Sequence, residues 1–123
     1  MAVTGPDFIA LQVRDLEKAA TFYEEVVGLA RAPFSPPHAV VFDTQPTFAV
    51  RDPAPGVNLE AGSLGLGVAL WLHDPEVVTL HATVVAAGAR VVQEPFDGPF
   101  GTTFVFQDFD GYLVTIHDRA TRG

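Results

Sequence analysis

Apolar and polar residues alternate from Phe8 to Val13, after which the pattern changes to a helical period in which Leu16, Ala19, Ala20, Tyr23, Val26 and Val27 share one face. Asp15 stands where an N-cap belongs, and Gly28 stands where the helix must stop. The same order returns in the second half. Residues 8–31 recur as residues 67–90, with a strand over Leu64–Leu72, Asp74 and Pro75 at a helix start, a helix to about Ala87, and Gly88 beyond it. The chain therefore reads as a duplicated module.

Each copy is followed by further β-forming runs. In the first half these are a short edge strand over Leu29–Ala32 and, after the breaker Pro33–Pro37, the runs His38–Phe42 and Thr47–Val50 around a turn at Asp43–Pro46. In the second half they are Ala89–Gln93, Thr102–Gln107 and Tyr112–His117, the last two joined around Asp110-Gly111. Phe96–Gly101 reads as a turn or rim loop, and the tail from Arg119 as frayed. Residues 52–63, with two Pro, two Gly and no apolar period, read as a linker. This pattern predicts an α+β protein of two βαβββ modules, about 7–52 and 64–118, in a single domain over 1–123. A doubly wound sheet would need helices between most strands.

Composition narrows the function classes. With 123 residues, 48% of them hydrophobic, the chain can bury one adequate core. No apolar run approaches the roughly 18 residues of a membrane span, and the start lacks a basic and apolar leader, so a cytoplasmic protein without a membrane partner is expected. Without Cys there is no thiolate chemistry, and a net charge of −8 with scattered Lys and Arg speaks against nucleic acid. The Gly62–Gly67 run leads into a strand rather than a helix, so no phosphate loop is expected, and Ser35 and Ser63 lack a nucleophile-elbow context.

Several short motifs in order, Ala10-Leu-Gln-Val-Arg-Asp-Leu16, Phe22-Tyr23, Gly28-Leu29, Gly88–Pro95, Phe100-Gly101 and Asp108–Tyr112, resemble the vicinal oxygen chelate superfamily. That superfamily includes glyoxalase I, extradiol dioxygenases, fosfomycin-resistance enzymes and bleomycin-binding proteins. The resemblance covers residues 8 to 118. It implies a cup-shaped, partly open β-barrel with the helices outside, and in the metal enzymes a ligand from the first and last strand of each module. The positions carried over are Phe8, Gly67, Thr115 and about Ala49, where a slip of one residue would offer Phe48 or Val50. None supplies the imidazole or carboxylate that a divalent cation requires, so no metal and no cofactor are expected.

Histidine could rebuild a site elsewhere. His81 reads as a helix-surface residue, and the orientation of His38 after Pro36-Pro37 is left open. His73 and His117 share strand parity with Gly67 and Thr115. Counted from those two positions they are about four residues out of step, or ~13 Å, too far for a shared metal, although either could act as an acid or base.

Strand parity assigns the inner face of the cup. It predicts Phe8, Ala10, Gln12 and Arg51 from the first module and Gly67, Ala69, Trp71, Leu113, Thr115 and His117 from the second, with the partner faces packed under the helices. Small floor residues, aromatic walls and a few polar groups suit a planar or amphipathic small molecule. The favoured expectation is a metal-independent binding protein of the antibiotic-resistance type, working as a homodimer because the family commonly closes its open sheets by pairing modules. The alternatives are a lyase, isomerase or dioxygenase using the same cup, with His117 or His73 as acid or base, and a degenerate interaction module.

Overall fold

The computed structural model describes residues 2–121. Its strands and helices fall into two compact units, one up to Ala61 and one from Gly62 onward, and the class is α+β as expected.

In the first unit β1 (Phe8–Gln12), β2 (Ala39–Phe42) and β3 (Thr47–Arg51) form a sheet in the order β1-β3-β2, with β1 parallel and β2 antiparallel to β3. Asp15 caps α1 (Leu16–Thr21) by accepting the Lys18 N–H. The helix then widens into a π-helical stretch, Phe22–Val26, marked by bonds from Val27 N to Phe22 O and from Gly28 N to Tyr23 O. Within it the consecutive rings of Phe22 and Tyr23 are both buried. Tyr23 packs on Phe48 at 5.1 Å between centroids, and Phe48 stacks on Phe42 at 6.0 Å. The edge strand expected over Leu29–Ala32 shrinks to a single bridge, Arg31 with Phe42, because the Val41 N–H that would pair back to Ala32 O donates to Ser35 Oγ instead. Arg31 instead ties the helix down through Glu17 (2.8 Å) and Glu24 (3.0 Å), and its hydrogen bond holds the Glu17 carboxyl below the usual carboxylate range.

Residues 52–61 of the expected linker fall within this unit. Gln12 Oε1 accepts the Ala54 N–H at 2.7 Å, Arg14 bonds Leu59 O and Glu60, and Leu59 is buried.

The second unit is a complete βαβββ motif. Its sheet runs β4-β7-β6-β5, from β4 (Leu70–His73), β5 (Arg90–Gly98), β6 (Gly101–Gln107) and β7 (Leu113–His117), with only the β4–β7 pair parallel. Two boundaries differ from the sequence pattern. Strand β4 opens at Leu70 because Gly65 and Gly67, both at positive φ, turn the chain through a Val68 N to Gly65 O bond. Helix α2 (Val77–Ala86) starts two residues after Pro75, because Asp74 accepts the Glu76 N–H in a turn of its own. Leu80 and Val84 of α2 are buried, as are Phe104, Phe106, Val114 and Ile116 of the sheet. His81 lies edge-on to Phe104 and bonds Glu94, so it joins helix to sheet, consistent with a structural role. Strand β5 continues past Pro95 through two register shifts, which an edge strand tolerates, so the expected rim loop is a β-hairpin with Pro99 and Phe100 at its tip.

Arg119, where fraying was expected to begin, is bonded through its N–H to Phe100 O; residues 122 and 123 lie outside the described residues. No helix among the described residues is long and apolar enough to cross a membrane.

The β6–β7 connection rests on one side chain. Buried Asp108 accepts through Oδ1 from the N–H groups of Asp110, Gly111 and Tyr112. Asp108→Ala should lower unfolding stability by about 2–4 kcal/mol, since three amides lose a charged acceptor. Chemical denaturation checks this; a loss below about 0.5 kcal/mol would refute it.

Candidate functional site

The parallel register of β4 on β7 sets Leu70 against Val114, Trp71 against Thr115, Leu72 against Ile116 and His73 against His117. One face of the sheet, carrying Val114, Ile116 and Phe104, is sealed against α2. The other carries Trp71, His73, Leu113, Thr115 and His117, joined from β6 by Thr103 and Val105. Strand alternation predicted this division, and Val114 and Ile116 are fully buried while Leu113 is half exposed.

The histidine spacing differs from the expectation. Counting from Gly67 separated the two rings by ~13 Å along the strand, but Gly67 sits in the turn before β4 and is not level with Thr115. His73 and His117 are direct cross-strand neighbours, with ring centroids 5.9 Å apart.

Around His117 the rings form a cluster. Its imidazole lies 5.5 Å from the Trp71 indole and 6.0 Å from Phe100, and Trp71 and Phe100 meet edge-on at 5.9 Å. His117 is only 4% exposed, whereas Trp71 is 44% and Phe100 38% exposed. The geometry is a buried polar floor between two open aromatic walls. Phe100 was not among the expected site residues; its signal was an aromatic at the tip of a Gly-Pro turn, which reads as a plain loop until the hairpin folds it over the sheet.

The chain after β7 holds this arrangement. Asp118 accepts the Thr102 N–H at 3.0 Å and donates its own N–H to Thr102 O, while Arg119 N–H bonds Phe100 O. The same two residues fix both imidazoles: His117 Nδ1 lies 2.9 Å from Arg119 O and His73 Nε2 lies 3.2 Å from Asp118 O. A carbonyl only accepts, so these nitrogens carry the protons.

On the first unit, Phe8, Ala10 and Gln12 pair with Thr47, Ala49 and Arg51 and share the face opposite α1. Its polar groups are already engaged. Gln12 holds Ala54, and Arg51 Nε donates to Asp52 O at 2.9 Å. Phe8 is half exposed and Ala49 fully buried. His38, whose orientation the sequence left open, is solvent-exposed at φ +67° with Nδ1 3.1 Å from Asp52 Oδ2. In the second unit Ala69 and Gly67 precede β4 and are exposed.

The family's metal positions do not fit a divalent cation. Phe8, Ala49, Gly67 and Thr115 offer neither imidazole nor carboxylate, and among the described residues no group of three or more His, Asp or Glu could hold a metal ion.

The chain belongs to the Glyoxalase/Bleomycin resistance protein/Dioxygenase superfamily, whose family model matches residues 5–116. Similar solved structures include TnmS3, an antibiotic binding protein from Streptomyces sp. CB03234, at 23% identity and TM-score 0.72, covering 98% of this chain and 99% of that one. A glyoxalase-related enzyme from Fulvimarina pelagi is 25% identical with TM-score 0.75, over 95% of this chain and 89% of that one. The fosfomycin resistance protein FosX from Listeria monocytogenes, complexed with Mn(II) and sulfate, is 19% identical with TM-score 0.72, over 98% and 94%. No curated protein sequence matches the chain.

Gly101 provides a test of the clamp. It has φ +87°, and a Cβ there would fall on the Asp118 carboxylate. Gly101→Ala should lower stability by about 1–3 kcal/mol and change the near-ultraviolet signal of Trp71; an unchanged spectrum and melting point would contradict the clamp.

Proposed function

We propose that the protein is a metal-independent binder of small planar aromatic molecules, sequestering a natural product as an antibiotic binding protein such as the similar TnmS3 would. The observation that carries this reading is the half-exposed Trp71–Phe100 pair over buried His117. A ring whose role is core filling is normally covered. Large aromatic faces left open beside a buried polar group are instead the composition of a pocket wall, where apolar contact gives affinity and sparse polar atoms give orientation. Leu113 and Thr115 extend the same face, and the lack of imidazole or carboxylate at Phe8, Ala49, Gly67 and Thr115 favours binding without a metal.

Titration with planar aromatic compounds should quench or shift the emission of Trp71, the only Trp, and chelator should leave the affinity unchanged. Trp71→Ala should weaken binding by about 1–3 kcal/mol while costing about 1–3 kcal/mol of stability, below the roughly 3–5 kcal/mol of a fully buried Trp, because the residue is 44% exposed. A large stability loss with unaltered binding, or affinity that disappears with chelator, would defeat the reading.

We also propose a cytoplasmic homodimer. Strands β1, β4 and β5 are sheet edges, and edges with free N–H and C=O groups are commonly closed by association. Sedimentation at tens of micromolar should give twice the chain mass; a monomer alone would oppose it.

A further inference from the structure

The hydrogen bonds behind the aromatic cluster define the chemistry of its ligand more narrowly than aromatic character does. With its Nδ1 proton committed to Arg119 O, a neutral His117 has only the Nε2 lone pair to offer. Nε2 makes no hydrogen bond among the described residues, and no buried side-chain nitrogen or oxygen there lacks a partner, so this atom opens to solvent from an otherwise buried ring. His73 has the same polarity: its Nε2 proton is directed at Asp118 O, which leaves Nδ1 as an acceptor. The nearby hydroxyl of Thr103 is spent on Gly101 O at 2.9 Å. Both imidazoles of the site therefore accept.

We infer that the ligand is a phenol: a planar aromatic whose ring hydroxyl donates to His117 Nε2 while its face lies against Trp71 and Phe100. An aryl ether or ketone of the same shape would set an acceptor against an acceptor and leave a buried lone pair without a partner. A carboxylate would meet the same obstacle with a charge added. This rests on the aromatic-wall reading of the site and adds to it the polarity of the contact at the floor.

Calorimetric titration of the purified protein with 2-naphthol, 2-methoxynaphthalene and 2-naphthoate tests the inference. The naphthol should bind about tenfold more tightly than the other two. That preference should vanish in His117→Phe and persist in Trp71→Ala, where the naphthol and its methyl ether weaken together. Equal affinities in the wild-type protein, tighter binding of the naphthoate, or a preference that survives His117→Phe would overturn the phenol assignment while leaving the aromatic walls standing. If none of the three binds, the wall reading fails and the assignment with it. Should His117→Phe not fold, proton–nitrogen correlation spectra of the wild-type protein decide. They should place the His117 proton on Nδ1 and move the Nε2 resonance on addition of 2-naphthol but not of 2-methoxynaphthalene. An Nε2–H tautomer, or an Nε2 resonance indifferent to the naphthol, would overturn the assignment.

Discussion

Parallel pairing between β4 and β7 is the constraint from which the chemistry of the second unit descends. Because alternate side chains point to opposite faces, a register that sets Leu72 against Ile116 in the core necessarily sets Trp71 against Thr115 and His73 against His117 on the other side. A shift of one residue would bury the indole and expose Leu70 and Leu72. The apolar requirement of the core thus fixes the positions of groups that the core itself never touches.

A second layer of control comes from the chain immediately after β7. Two residues, Asp118 and Arg119, bond the β5–β6 hairpin with one set of groups and the imidazoles with another. The position of Phe100 and the tautomers of both histidines are consequently linked through a single turn, and Gly101 is required where that turn meets the hairpin. The polarity of the floor is a property of the backbone, set by carbonyl oxygens that no side-chain substitution removes.

The repeat, the element order apart from the Leu29–Ala32 strand, and the two faces of each sheet were legible in the sequence, because periods of 2 and 3.6 are written directly in Ile9, Leu11 and Val13 or in Ala19, Ala20 and Tyr23. Register was less accessible. Gly67 continues the alternation of Ala69 and Trp71, yet its positive φ places it in a turn, and conformation of that kind leaves no mark on a hydrophobicity pattern. The expected distance between His73 and His117 failed for this reason. Phe100 escaped notice because its role depends on a hairpin running through Pro95, a residue that ordinarily argues against a strand. The bonds that hold residues 54 and 59 were not legible because their partners, Gln12 and Arg14, lie more than forty positions upstream, beyond the reach of local pattern.

The engagement of Gln12 and Arg51 with residues 52–54 separates the two halves of the duplication. In the first, the polar groups of the free sheet face have become fasteners for the chain that follows; in the second, the matching strands carry rings and lone pairs held ready but uncommitted. Two copies of one pattern thus put the same face to different uses, one as a fastening for its own chain and the other as an open surface. A substitution at Trp71 or Phe100 consequently meets side chains already partly in water, whereas one at Gln12 or Arg51 unties a length of backbone.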